Sequence, residues 1–193
     1  MAQRATEPSF DMLGALDRPW TAQLALDLLP ECPGPKVEVV RGCVVVTPNG
    51  GYDAIEVELA HVLRRAARPA GLWAYPEVNI VSGDDLFIPD LVVLNRSGAG
   101  QSTMPITTAV LLGELVVRGS RRRTVIDRAG EYAEAGVPYF LRVDLRHRMP
   151  ALVLHELADG EYLPVAAAAG GSTFVMREPF DLALDPADLL GAG

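Results

Sequence analysis

The chain has 193 residues, 49% of them hydrophobic and 22% charged, with a formal net charge of −8. A chain of this length buries about 70% of the surface it would expose when unfolded, so one core can form without a disulfide or metal staple. Ordinary charge content excludes wholesale disorder. No apolar run approaches the ~20 residues that cross a bilayer, and the first residues lack a secretory signal's apolar centre, so a cytoplasmic protein with no membrane association is expected.

The acidic balance excludes a general nucleic-acid coat but hides a polarised charge distribution. Between positions 118 and 148 stand eight arginines (118, 121, 122, 123, 128, 142, 146, 148) against four acids (Asp127, Glu131, Glu134, Asp144), a segment of +4 in a chain whose remainder carries −12. Lys36 is the only lysine among seventeen basic residues. Cys32 and Cys43 have no metal-ligand spacing, and with no export signal both are expected to be reduced.

In chain order, residues 1–20 lack periodicity and read as a loose arm ahead of a single domain over 21–193. Thr21 is an N-cap for a short helix over 21–29, ended by Pro30. The β-rich runs 37–40 and 43–46 flank Arg41-Gly42 as a hairpin. The clearest helix follows Gly50-Gly51: Asp53 and Glu56 have capping-box spacing, and Ile55, Leu59, Val62, Leu63 and Ala66 share a face. Residues 73–81 and 87–94 read as two strands around the turn residues 82–85, and 95–108 as a polar loop. The run 110–117 is nearly continuous in apolar residues, as a strand covered on both faces requires. A helix over 124–135 ends at Gly136 and Pro138, and 137–145 returns as a strand. Short β segments at 151–157, 161–166 and 172–176 and a small helix opened by Asp185-Pro186 complete the chain. This order predicts an α/β (α+β) domain with a mixed central sheet flanked by helices and a β-hairpin tail.

Two acids stand inside apolar strands: Asp90 in Phe87-Ile88-Pro89-Asp90-Leu91-Val92-Val93-Leu94, and Glu114 in Leu111-Leu112-Gly113-Glu114-Leu115-Val116-Val117. A carboxylate there is costly unless paired, hydrogen-bonded or bound to metal. On neighbouring strands the two carboxylates could share one Mg²⁺, which takes one or two carboxylates plus water and phosphate oxygens. The alternative for each is a strand-end acid facing solvent.

Pro89-Asp90, then Glu114 in an apolar strand, then Glu131-Tyr132-Ala133-Glu134-Ala135-Gly136-Val137-Pro138-Tyr139 and Leu141-Arg142-Val143-Asp144 resemble the Uma-two family of bacterial restriction-endonuclease-like proteins with the PD-(D/E)xK nuclease fold. Lys36-Val37-Glu38-Val39-Val40-Arg41-Gly42 resembles the family's glutamate-bearing strand and turn. The likeness runs from about Trp20 to Leu190. It implies a restriction-endonuclease-like core and a Mg²⁺- or Mn²⁺-dependent nuclease acting on DNA. Asp90, Glu114 and the Leu115 backbone carbonyl would hold the metal, with Glu38 as a third acid. The pattern expects a lysine two residues after the second acid, where this chain has Val116. Related members carry it on the following helix, with an aspartate four residues earlier; those positions here are Arg128 and Thr124. Arginine cannot be deprotonated in a protein, so Arg128 can neutralise phosphate or developing charge but cannot act as a base.

Arg121, Arg122 and Arg123 read either as phosphate clamps at the rim of that site or as a solvated turn before a helix. Glu38 reads alternatively as an exposed hairpin glutamate. Asp127 reads as part of a cap with Thr124, Glu56 as a cap and Glu58 as a solvated face. Tyr132 and Tyr139 read as packing residues, and His61, His147 and His155 as surface residues without ligand spacing. Three functions compete: a DNA endonuclease, a degenerate nuclease fold that binds nucleic acid or protein, and a β-rich binding protein in which Asp90 and Glu114 are incidental. A homodimer is compatible with each.

Overall fold

The computed structural model describes residues 18–29, 35–48, 53–117, 126–147 and 149–191. Helix α1 (Ala22–Leu28) starts as the sequence requires, with the Leu24 N–H donating to Thr21 Oγ1 at 3.1 Å. Strands β1 (Lys36–Val40) and β2 (Cys43–Thr47) form an antiparallel hairpin. Its turn places both Arg41 and Gly42 at positive φ, 50° and 76°, the conformation that suits the right-handed twist of a two-residue hairpin. Helix α2 (Asp53–Ala67) includes Asp53 as its first residue, so any cap falls at 52, outside the described residues. Glu56 is buried and Glu58 is exposed.

The two long strands expected over 73–81 and 87–94 are each broken in two. Strand β3 (Trp73–Pro76) stops at Glu77, which has φ +44°, and β4 (Ile80–Ser82) resumes in a different sheet. Strand β5 (Asp85–Phe87) completes the expected hairpin with β4. The chain then leaves that sheet at Ile88-Pro89-Asp90, and β6 (Leu91–Leu94) begins in the sheet that holds β3. Pro89 cannot donate to a ladder, so the break falls where the sequence removes an N–H. The expected loop 95–108 contains the two-residue strand β7 (Met104–Pro105) and one 3₁₀ turn at Ile106–Thr108.

The central strand is β8 (Ala109–Val116), antiparallel to β6 and parallel to β9 (Tyr139–Asp144). Helix α3 (Arg128–Glu134) makes the crossover between them. It starts four residues later than expected: Asp127 is itself the N-cap, accepting from the Gly130 N–H at 3.2 Å. The rest of the tail is the hairpin β10 (Ala151–Ala158) and β11 (Glu161–Ala169), the small pair β12 (Phe174–Met176) and β13 (Leu182–Leu184), and the 3₁₀ turn Pro186–Leu190. The larger sheet runs β11-β10-β9-β8-β6-β3, and the second runs β2-β1-β5-β4-β7.

Strand parity assigns the faces of the large sheet. Leu91, Val93 and Leu111 enter a core built with Leu59, Leu63 and Ala67 of α2. Val92, Leu94 and Leu112 enter a second core with Val40, Ile80 and Phe87 of the smaller sheet and Tyr132 of α3. Burial on both faces explains the unbroken apolar run of β8. Gly113 is required there by crowding: a Cβ would lie 3.0 Å from Leu91 Cβ and 3.3 Å from the Leu141 carbonyl oxygen. Trp20, at the end of the expected arm, is buried, and its N–H donates to the Gly42 carbonyl. Among the described residues no helix is long and apolar enough to cross a membrane.

Candidate functional site

Side chains alternate faces along a strand. Asp90, two before Val92, and Glu114, two after Leu112, therefore point into the second core. Lys36 and Glu38 do the same, four and two residues before Val40. One step beyond the Leu91–Gly113 pair of the β6–β8 ladder, Asp90 stands beside Glu114. The Leu115 N–H donates to Asp90 Oδ2 at 2.6 Å and fixes that carboxylate to the neighbouring strand.

Each acid meets a partner from another element. Lys36 Nζ donates to Asp90 Oδ1 and lies 3.1 Å from Glu77 Oε1 at the rim. Arg128 holds Glu38 through two parallel N–H bonds to both carboxylate oxygens, the bidentate geometry a guanidinium is built for. Glu38 Oε1 also accepts from the Ile88 N–H at 2.7 Å, and its side chain is fully buried. Arg128 Nε lies 3.8 Å from Glu114 Oε2, and the Tyr132 hydroxyl donates to Glu114 Oε1 at 2.6 Å. Glu56 of α2 adds its field at Lys36.

The electrostatics follow from this crowding. Burial pushes the Glu114 carboxyl up to about 8, with Asp90 and Glu38 adding repulsion that the Arg128 charge and the Tyr132 hydroxyl only partly offset. Burial opposes the Lys36 ammonium, but Asp90 outweighs it and raises the pKa above the lysine range. For Arg128, burial is likewise overcome by Glu114 and Glu38. Burial and then Glu114 push the Tyr132 phenol well above its ordinary value, so it stays a donor.

The structure thus brings Asp90, Glu114, Leu115, Glu38 and Arg128 into one cluster. Glu38 is a buried member and not an exposed hairpin glutamate. Lys36 and Tyr132 also belong to it, and sequence reasoning had given neither a place there. Tyr132 is a packing residue, edge-on to Phe87 at 5.5 Å between ring centroids, but its hydroxyl is spent on the cluster. Parity along β1 carried a signal for Lys36, two residues before Glu38; nothing local revealed which strand that face would meet. Arg121, Arg122, Arg123 and Thr124 lie outside the described residues. The described arginines of the basic segment are paired internally: Arg128 with Glu38, and Arg142 and Arg146 both with Asp144. His155 is half-buried against the Phe140 ring, at 5.7 Å, rather than on the surface; His61 and His147 are exposed.

Among the described residues no group of three or more His, Cys, Asp or Glu forms a self-contained metal cage. The residues nevertheless fit a divalent ion. Three enclosed carboxylates (Glu38, Asp90, Glu114) contact two enclosed cations, Lys36 and Arg128. Two carboxylates, one just before β6 and one on the neighbouring β8, suit an ion that completes its shell with water and phosphate oxygens.

Comparison with known proteins gives the chain a family and a fold. Residues 22–187 match the Uma2 (Uma-two) family model, described as "Putative restriction endonuclease". A crystal structure of a "putative nuclease belonging to DUF820" from Anabaena variabilis superposes with a TM-score of 0.64 at 19% identity, covering 89% of this chain and 97% of that one. The structural likeness shows a shared fold, and together with the family match it bears out the expected restriction-endonuclease-like core. No curated protein matches the chain.

Proposed function

The chain belongs to the Uma2 family, and from that premise we propose that it is a metal-dependent endonuclease cleaving DNA phosphodiester bonds, with Asp90 and Glu114 as its metal-binding pair. The observation that carries this reading is their placement: one carboxylate just before β6 and one on the neighbouring β8, tied together by the hydrogen bond from the Leu115 N–H to Asp90. The Leu115 carbonyl is the third protein ligand of the reading. A bound Mg²⁺ or Mn²⁺ would polarise a phosphoryl oxygen and lower the pKa of a water beside it. Water oxygen bonds to phosphorus, one ester P–O bond breaks, and the leaving oxygen takes a proton, giving a phosphate monoester and an alcohol.

The chain's own residues prepare that event. Tyr132 and the Leu115 N–H hold the two carboxylates in register. Arg128 and Glu38 tie α3 to β1 and fix the wall behind them. Arg121, Arg122 and Arg123, just before α3, are the candidates for phosphate contact.

The test is a cleavage assay on plasmid and duplex oligonucleotide with Mg²⁺ or Mn²⁺, with metal binding followed by calorimetry. Asp90→Asn with Glu114→Gln should abolish both cleavage and the heat of binding. Unchanged metal binding in that double variant sinks the shared site. One observation favours a second reading, a degenerate nuclease fold that binds without cutting. Arg128, standing where related chains carry lysine, spends its fork on Glu38. A protein that binds Mn²⁺ and DNA yet cuts neither substrate would establish it.

A further inference from the structure

Asp90 is held asymmetrically. Its Oδ2 is fixed by a main-chain N–H at 2.6 Å, whereas its Oδ1 is held by the end of a flexible side chain, Lys36 Nζ. Every other basic residue of the chain is arginine, sixteen of them. A guanidinium would grip the carboxylate in a rigid fork; an ammonium is a compact point charge on a four-carbon stem, and can move. Lys36 also has somewhere to go. Glu77 Oε1 lies 3.1 Å from the same Nζ, and the Glu77 side chain is 46% exposed where Asp90 is 17% exposed. Glu77 is positioned for this by its own backbone: its φ of +44° marks the end of β3, and its N–H donates to the Asp90 carbonyl at 3.3 Å. Arg128 is the other cation of the cluster, and it cannot move in this way with both oxygens of a fully buried Glu38 in its fork.

We propose that Lys36 is the cation that competes with a divalent ion for Asp90 Oδ1 and, anchored on Glu77, presents the chain's one ammonium to a bound phosphodiester. The proposal rests on the reading of Asp90 as a metal ligand. Two cations cannot occupy one carboxylate oxygen in a partly desolvated site without strong repulsion, so Lys36 lowers metal affinity while it remains there. Once on Glu77 it stands at the rim, within reach of a phosphate oxygen, as a charged hydrogen-bond donor. The lysine that the nuclease pattern seeks at 116 or 128 thus arrives from β1.

The test is calorimetric titration of the whole protein with Mn²⁺. Lys36→Met should bind Mn²⁺ about tenfold more tightly or better, because a like charge leaves the site. Lys36→Arg, which keeps the charge and grips Asp90 in a rigid fork, should bind Mn²⁺ no more tightly than the parent. In an Asp90→Asn background the gain from Lys36→Met should disappear. Equal or weaker Mn²⁺ binding by Lys36→Met, or a gain that persists in Asp90→Asn, overturns the competition. The second half is read by fluorescence anisotropy of a short DNA duplex in Ca²⁺. Lys36→Met should lower the log–log salt slope by about 0.9, the share of one lost phosphate contact; an unchanged slope overturns it. If the parent cuts nothing with Mg²⁺ or Mn²⁺, the nuclease reading fails, while both halves of this proposal are still decided by the binding measurements.

Discussion

Replacing Arg128 by methionine should unfold the chain far more readily than replacing Arg128 and Glu38 together. Glu38 is fully buried, and both its carboxylate oxygens are held by the Arg128 guanidinium; the Ile88 N–H at 2.7 Å is its one other donor among the hydrogen bonds described. Methionine removes two charge-assisted bonds and leaves an anion in a dry site. Loss of one partner of a buried pair costs about 3–5 kcal/mol, a large share of the roughly 5–15 kcal/mol that holds a domain folded. In urea, with a slope of about 2 kcal/mol/M for a chain this size, the midpoint should fall by about 2 M. The variant Arg128→Met with Glu38→Gln removes the stranded charge and keeps an acceptor for Ile88, so it should recover most of that loss. Arg128→Lys should fall between, because one ammonium cannot satisfy both oxygens of Glu38 in fork geometry. A single variant within about 1 kcal/mol of the parent would show that water reaches Glu38. A double variant no better than the single one would show that α3 is held by something other than this pair.

Gly113→Ala should cost about 1–3 kcal/mol in urea titration, the ordinary penalty of overpacking, because its Cβ would sit 3.0 Å from Leu91 Cβ. Tyr132→Phe keeps the ring packing against Phe87 but strips Glu114 Oε1 of its donor; a loss of about 1–2 kcal/mol in thermal or urea melts is expected. At the far end of β9, hydrogen bonds from Arg146 hold the Asp144 carboxyl at about 2. A depressed folded-state pKa stabilises above the unfolded value of about 4 and is lost as pH falls through about 2. Asp144→Asn should therefore lower stability at pH 7 by about 1 kcal/mol after solvent screening, and the difference should shrink as pH falls through about 2 and vanish below it.

The elements that alternation and capping determine locally were legible in the sequence. Thr21 starts α1, Arg41-Gly42 turns the first hairpin, and the apolar run around Leu111 and Leu112 becomes the strand covered on both faces. The breaks at Glu77 and at Ile88–Asp90 were not legible as sheet changes. Continuous β propensity from 73 to 81 and from 87 to 94 says nothing about which sheet each half joins. Pro89 alone hinted at the second break, by removing a donor. Helix α3 was placed too early because Thr124 is as good a cap by type as Asp127, and only the observed bond to the Gly130 N–H separates them.

The same limit governs the site. Asp90 and Glu114 announce themselves because each is a charge inside an apolar strand, a local anomaly that a single sequence displays. Lys36 and Glu38 sit in a hairpin strand whose composition suits a half-exposed edge, and their burial is decided elsewhere. It requires that β5 pair with β1, through Val39 and Leu86, and then hand the chain across at Pro89 to β6. That crossing carries Asp90 out of the smaller sheet to the start of β6, where it meets the lysine of β1 in the sheet it has just left. The cost of enclosing Glu38, Asp90 and Glu114 is offset by cations drawn from β1 and α3. The site is therefore a property of the junction between the two sheets. A substitution that shifts the crossing, such as Pro89→Ala restoring an N–H, should disturb Lys36 and Asp90 together while leaving the α2-side core intact. Amide exchange slowed or unchanged at Leu115, whose N–H reports the position of Asp90, would contradict that coupling.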